Sequence, residues 1–391
     1  MKKIYFLLLF SIFAINCAYA KWNQIGSGST VNCIFITGSF PSNRIYIGVP
    51  NSTQGVYYSA NFGDTWNGND WYPYYATCNS IIQGGSKIIA GTDLGILLSS
   101  DISCSSWTRI YTLNGEVYSF VENGGTIYAG TEYGVNSTTD NGSHWNTCNH
   151  VDLNYPVYSL AINNTSIYAG TDYGIYYSSN SGGNWSLLNT GIPANGSVTV
   201  KALAINGSQI YAGTTDGIFR SADNGSNWTI INTGLTNNNV PAIAVSGTKI
   251  FASIYGDGVY ISTDNGNSWA ALNDGFSHGS EFYVNSLVIN GSLIFAGGDG
   301  TWWRSTTIPN DIEEIGIDNS RIIISPNPSA GKFTIENKGD LYIYNLTGQQ
   351  IHSQKLTLKR TEIDLSIQPK GVYFLKISDQ DKIYTQKIVI W

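Results

Sequence analysis

The sequence predicts an all-β protein: an array of repeated four-stranded units followed by a smaller antiparallel unit. Three observations carry that expectation. The composition, with 43 Gly, 26 Tyr and 11 Trp in 391 residues and only 12% charged residues, favours strands and tight turns over helices. Tryptophans recur at Trp66, Trp107, Trp145, Trp185, Trp228 and Trp269, spaced by 41, 38, 40, 43 and 41 residues, and such a period belongs to repeat architectures. The pattern then stops and the charge changes sign: residues 21–307 carry 8 basic and 17 acidic residues (8 − 17 = −9), whereas 321–391 carry 10 and 6 (10 − 6 = +4). Two domains with different tasks are expected.

At the N-terminus, Lys2 and Lys3 precede an apolar run from Ile4 to Ile15, and Ala18-Tyr19-Ala20 supplies a small-x-small cleavage pattern. This predicts a secretory signal peptide over 1–20, removed before Lys21. The run is too short for the roughly 30 Å of a bilayer core, and no later segment is longer, so no transmembrane helix is expected in the mature chain. Asn16 before Cys17 departs from the small residue of a lipidation site. Four cysteines follow, Cys33, Cys78, Cys104 and Cys148. None has C-x-x-C spacing, so disulfides or buried thiols are expected rather than zinc, and neither a metal nor a cofactor is predicted. The net charge of −7, with no Lys/Arg cluster, argues against a nucleic-acid partner.

Each unit reads as four short strands, as in Val157–Ile162, Ser166–Gly170, Gly174–Ser178 and Trp185–Leu188. The second strand recurs before Gly48, Gly91, Gly130, Gly170, Gly213, Ser253 and Gly297, which makes seven units. The seventh lacks its own Trp strand, and Lys21-Trp22-Asn23-Gln24-Ile25-Gly26 reads like the missing one. Most tryptophans end a similar segment, for example Ser262-Thr263-Asp264-Asn265-Gly266-Asn267-Ser268-Trp269 or Thr138-Thr139-Asp140-Asn141-Gly142-Ser143-His144-Trp145. Asp223 precedes Trp228 in the same way, Asn61 and Asn180 take the Asp position before Trp66 and Trp185, and the copy before Trp107 is degenerate, with Asp101 displaced and Cys104 in the loop.

These segments resemble the Asp-box, or BNR, repeat of sialidase-like propellers, over most of the mature chain. With the count above, the expected domain is a seven-bladed β-propeller over 21–307, closed by the N-terminal strand. The pairs Asn61 and Trp66, Asp140 and Trp145, Asn180 and Trp185, Asp223 and Trp228, and Asp264 and Trp269 are expected to be structural. Hydroxyl and carboxylate can bond a sharp hairpin, Gly permits positive φ, and Trp anchors the next strand.

An acidic stretch over 308–320 reads as a linker. Beyond it stand Ser325-Pro326-Asn327-Pro328, Gly331, Leu341-Tyr342-Ile343-Tyr344-Asn345-Leu346-Thr347-Gly348 and Gly371-Val372-Tyr373-Phe374-Leu375-Lys376-Ile377. Residues 321–391 resemble the type A sorting domain of the type IX secretion system of Bacteroidota. The resemblance implies a small Ig-like β-sandwich recognised by the secretion translocon, with Pro326, Asn327, Pro328, Gly331, Gly348, Gly371, Tyr373 and Lys376 in the sorting signal. It also implies a protein that is secreted, or attached to the outer-membrane surface after the domain is cleaved.

In propellers the blade-joining loops and the turns between second and third strands share one face. A ligand is expected there. The candidates are the aromatic run Trp71-Tyr72-Pro73-Tyr74-Tyr75, the turn carboxylates Asp93, Glu132 and Asp172 with their counterparts Asp216, Asp257 and Asp299, and the neighbouring Tyr133 and Tyr173. Aromatic faces stack on sugars or fill protein hot spots, while the carboxylates also suit the turn itself. Sialidase chemistry needs three arginines, a Tyr nucleophile paired with Glu, and an Asp acid/base, yet only Arg44, Arg109, Arg220 and Arg304 lie in the propeller. The expectation is therefore a non-enzymatic module binding a glycan or an extracellular protein. The alternatives are a sialidase-like or xyloglucanase-like glycoside hydrolase and a protein-docking scaffold.

Overall fold

The computed structural model describes residues 22–37, 44–50, 55–69, 74–113, 115–148, 153–193, 198–276, 283–291, 293–305, 323–325, 329, 331–336, 338–344, 350–358, 360–379 and 382–390. The expected leader over 1–20 and linker over 308–320, with Trp71, Tyr72, Pro326, Asn327, Pro328 and Gly348, lie outside them. Every regular element among the described residues is a strand. The chain divides into two compact units, of which one runs from Tyr19 to Ile308 and the other includes Pro309–Trp391.

The first unit is a β-propeller of seven four-stranded antiparallel sheets, counted among the described residues. Blade 1 comprises Cys33–Thr37, Arg44–Gly48, Val56–Ser59 and Asn67–Asn69, and the first strands of blades 2 to 7 begin at Cys78, Val117, Val157, Val200, Ile243 and Val284. The first strand of each blade touches the first strand of the next, and the first strand of blade 7 returns to Cys33–Thr37, so the seven first strands surround a common axis. Blade 7 borrows its fourth strand from the N-terminus, since Trp22–Ser27 pairs with Thr301–Ser305 and sets Trp22 opposite Ser305.

Glycine in the second strand is what lets blades close on each other. A Cβ at Gly170 would stand 2.4 Å from Ser159 Oγ and 2.7 Å from Val200 Cγ1 of the next blade. The apolar core is correspondingly modular. Clusters such as Tyr168, Ile175, Val200, Ala212 and Trp228 join the middle strands of one blade to residues from the inner to the outer edge of the next, and burial of this kind is the main favourable term in folding.

The repeated turn before each Trp is bound by its own side chains. Thr138 Oγ1 donates to Asp140 Oδ1 at 2.8 Å and accepts from the Gly142 amide at 3.2 Å, and the His144 amide donates to Asp140 Oδ1 at 2.9 Å. Asp223 and Asp264 repeat the arrangement. Asn61 and Asn180 serve equally well because only Oδ1 is required: it accepts from the Thr65 and Asn184 amides at 2.9 Å. The residue before the glycine has positive φ, 56° at Asn141 and 55° at Asn224, a conformation Asn tolerates. Four of the indoles then tie neighbouring blades, whereas Trp145 donates Nε1–H to the Gly142 carbonyl of its own turn at 3.1 Å. Trp66, Trp228, Trp269 and Trp22 donate Nε1–H to the carbonyls of Ile25, Leu188, Ile231 and Leu272 at 2.7–3.0 Å, so Trp22 stands in the same bonding pattern as Trp66, Trp228 and Trp269.

The second unit contains a three-stranded sheet (Ile323–Ser325, Lys332–Glu336, Thr361–Asp364) and a four-stranded sheet in the order Gln350–Leu356, Gly339–Tyr344, Gly371–Asp379, Lys382–Ile390. One core joins them: Phe333 and Ile335 from the first, Leu341, Ile343, Tyr373, Leu375 and Ile377 from the second. Alternation decides which residues enter it, so Leu341 and Ile343 are buried while Tyr342 and Tyr344 are half-buried. Gly331 has a φ of 98° and its carbonyl accepts from Leu365 N. Tyr373 donates its hydroxyl to the Pro369 carbonyl. Lys376 pairs with Tyr342, and Gly371 opens the strand.

Candidate functional site at the axial cavity

Successive antiparallel strands place the turn between strands two and three, and the loop to the next blade, at one end of each sheet, opposite the repeated turns. At that end of the axis lies a cavity of about 540 Å³. Its wall takes the same column of the repeat from six blades: Asn32, Asn79, Tyr118, Tyr158, Lys201 and Asn285, each directly after the apolar Val or Cys that opens the unit. Asp172, Thr199 and Thr215 complete it.

A polar chain crosses four blades here. Asn79 Nδ2 donates to Glu116 Oε1 at 2.9 Å, and the Tyr118 hydroxyl donates to Glu116 Oε2 at 3.1 Å. The Tyr118 and Tyr158 rings lie 5.1 Å apart between centroids. Tyr158 donates to Asp172 Oδ2 at 3.0 Å, and Thr199 Oγ1 donates to Asp172 Oδ1 at 2.7 Å. Burial, reinforced by the hydrogen bond to Asp172, pushes the Tyr158 phenol up to about 12. Burial and then the Glu116 charge push Tyr118 upward as well. Both phenols stay protonated donors, which holds the carboxylates in fixed directions. Lys201 is the cation of the wall.

The predicted residues fall into groups. Asp172 belongs to the cavity. Glu132 lies near Tyr118, and its amide bonds the Glu116 carbonyl at 2.9 Å. Asp93 serves the backbone instead, accepting from the Thr77 amide at 2.9 Å. The carboxylates do not share one register. The Thr that precedes Asp93, Glu132 and Asp172 bonds the turn glycine carbonyl, and after the equivalent Thr214 comes Thr215, which displaces Asp216 by one place. Tyr133 and Tyr173 are exposed, with Tyr173 against Tyr155 at 4.4 Å. Tyr75 is exposed and Tyr74 is half-buried against the core of the first two blades. With Tyr111 and Tyr255, also exposed, the described residues of this face carry five open phenol rings.

Three of the propeller arginines work at the opposite end. Arg44 donates to Ile102 O, Arg220 to Asn265 O and Arg304 to Phe62 O, each on the repeated turn of the following blade. Arg109 covers the Tyr111 ring at 5.2 Å. Hydrogen bonds from the His144 amide first, and from the Asn227 side chain first, hold Asp140 and Asp223 at about 2, so these carboxylates are committed to their turns. Among the described residues no group of three or more His, Cys, Asp or Glu is placed to hold a metal ion, and no helix is long and apolar enough to cross a membrane.

Sequence reasoning missed Asn32, Asn79, Glu116, Tyr118, Tyr158, Lys201 and Asn285. The signal was a column that changes chemistry from blade to blade, Asn, Asn, Tyr, Tyr, Lys, Pro241 and Asn, between neighbours that stay apolar or small.

Fold and cavity define a β-propeller with a polar axial cavity. Residues 99–256 match the family model of the DUF6242 beta propeller domain, and residues 324–391 match the secretion system C-terminal sorting domain. The chain is thus a β-propeller protein that ends in a type IX sorting domain, the address for export to the cell surface or the medium. No curated protein matches it in sequence. Among solved structures it is similar to YCF48 bound to D1 peptide (15% identity, TM-score 0.60, 74% of this chain and 98% of that one). It is also similar to the extracellular domain of BT4673 from B. thetaiotaomicron (15%, TM-score 0.62, 94% and 52%). A third similar structure is PorZ, a surface component of the type IX secretion system of Porphyromonas gingivalis (13%, TM-score 0.55, 94% and 60%). This chain therefore spans just over half the length of the latter two, and at these identities the likeness is one of fold.

Proposed function

We propose that the propeller is an extracellular binding module that takes a glycan at the axial cavity and on the tyrosine-bearing face around it, without chemistry of its own. The observation that carries this is the chain Asn79–Glu116–Tyr118–Tyr158–Asp172–Thr199. Amides and hydroxyls that donate and accept, beside carboxylates that accept, match a polyhydroxylated ligand, and tyrosine faces suit stacking on sugar rings. In this reading the leader over 1–20 starts export, the segment 308–320 links propeller to sorting domain, and the translocon reads residues 321–391. Sialidase-like hydrolysis is the second reading, because Tyr118 and Glu116 form the Tyr/Glu pair of that chemistry at 3.1 Å. The upward shift of the Tyr118 phenol and the arginines' place at the far end disfavour it.

The test is a glycan and polysaccharide array probed with the exported full-length protein, its Lys201→Ala and Tyr118→Phe variants, and an assay for released sugar in the same wells. Binding that weakens by roughly tenfold in the variants, with no product, supports the module. Released sugar would establish the hydrolase, and silence on every glycan would move the search to protein ligands.

A further inference from the structure

Blade junctions in this propeller follow one rule. In blades 2 to 4 the third residue of a blade's inner segment meets the first residue of the next blade's inner segment over the glycine of the second strand, a place that Ser253 takes in blade 6. At Gly91 the two neighbours are Ser80 and Val117, at Gly130 Ser119 and Val157, and at Gly170 Ser159 and Val200. Read along the sequence, the third position is Ser80, Ser119, Ser159, Ala202, Ala242 or Ser286, and the first is Val31, Val117, Val157, Val200, Val240 or Val284.

The junction of blades 1 and 2 breaks the rule at both places together. Cys33 stands where the other blades have Ser or Ala, and Cys78 stands where they have Val. A Cβ at Gly48 would lie 2.5 Å from Cys33 Sγ and 2.6 Å from Cys78 Sγ, so both sulfurs press on the same empty spot. The Cys78 amide donates to the Val49 carbonyl at 3.1 Å, which fixes the start of blade 2's inner segment against the end of blade 1's second strand. Both thiols are buried and free in this structure. Two independent single changes would have scattered over fourteen positions, whereas these fall on the two partners of one contact.

We propose that Cys33 and Cys78 form a disulfide in the exported protein, a covalent staple between blades 1 and 2 across Gly48. The sorting domain places the chain on an export route, where disulfides form and persist. Formation is thiol–disulfide exchange with an oxidised dithiol donor: one cysteine thiolate attacks the donor's S–S bond and releases a donor thiolate. The second cysteine displaces the remaining donor sulfur, which leaves one protein S–S bond and a reduced donor, with two protons and two electrons moved. Burial first, and then the hydrogen bond with Cys33, holds the Cys78 thiol well above the usual range. Exchange therefore happens while the blades assemble, and the closed propeller afterwards shields the bond. Cys104 shares the same buried cluster but sits in the degenerate repeated turn, outside the junction column.

The chain is convenient to test, because cleavage after Lys21, Arg44, Lys87, Arg109 and Lys201 puts each of the four cysteines on a separate tryptic peptide. Protein collected after export, unfolded in the presence of an alkylating agent without reductant and digested, is expected to yield 22–44 joined to 45–87, with Cys104 and Cys148 alkylated. Four alkylated cysteines, or a link from Cys78 to Cys104, would overturn the proposal. As a second measurement, reductant present during refolding is expected to lower the thermal midpoint of the wild type by on the order of 5–10 °C. The double variant Cys33→Ser, Cys78→Val, which restores the residues of the other junctions, is expected not to respond, and an equal response in that variant would count against the staple.

Discussion

The ring of seven blades is closed by Trp22, and replacing that residue has a consequence that can be worked out in advance. Trp22 is 1% exposed. Its indole N–H donates to Leu272 O at 2.7 Å, its amide donates to Asp274 O at 2.8 Å, and its ring stacks on Phe276 at 4.7 Å. Phe276 in turn meets Trp303 edge-on at 5.1 Å. The N-terminal strand therefore holds blade 6 to blade 7 while completing blade 7. Truncating a buried Trp to Ala costs ~3–5 kcal/mol, and leaving the Leu272 carbonyl without its donor adds ~1–3 kcal/mol. A domain of this size loses roughly 2–4 °C of melting temperature per kcal/mol, so Trp22→Ala is expected to lower the midpoint by about 10 °C or more. Trp22→Phe keeps the stacked ring and gives up only the indole hydrogen bond, so its loss is expected to be about 2–12 °C. The assay is thermal unfolding of the exported protein followed by near-ultraviolet circular dichroism. A Trp22→Ala midpoint within 2 °C of the wild type would refute the closing role of this strand.

Two further perturbations follow from the repeat. Asp140 and Asp223 titrate near 2 in the folded protein, below the roughly 3.9 of an unfolded aspartate; their contribution is complete above about pH 4 and is lost as pH falls toward 2. Changing both to Asn, the residue already present at positions 61 and 180, removes that contribution and is expected to lower the midpoint modestly at pH 7 and to flatten the acid side of the stability curve, as read by melting at pH 2–5. Gly170→Ala places a Cβ 2.4 Å from Ser159 Oγ and 2.7 Å from Val200 Cγ1, an overpacking that costs ~1–3 kcal/mol, and urea unfolding is expected to show a lower transition midpoint.

Much of the fold was legible because propeller blades are made by local signals repeated many times. Tryptophan spacing marks the blades, the Ser/Thr and Asp/Asn of each turn bind their own backbone, and the second-strand glycines mark where blades close. Trp22 carries the same signature as Trp66, Trp228 and Trp269 because it makes the same hydrogen bond. The site was less legible for the complementary reason. Its residues come from one position in each of several blades, some 40 residues apart, and nothing in any single blade says that Tyr118, Tyr158 and Lys201 face a common axis. Asp172 was visible because its turn is conspicuous, yet the same rule drew in Asp93, whose carboxylate serves the Thr77 amide, and Asp216, which one place of register removes from the equivalent position.

The measurement that tests the central claim most directly is hydrogen–deuterium exchange of the intact exported protein, with and without the glycan that the array shows to bind. The account predicts slower exchange in segments 115–120, 156–160, 170–174 and 198–202, which border the axial cavity, and no change in the repeated turns at 138–146 and 221–229. Protection confined to those turns, or to the sorting domain, would contradict it.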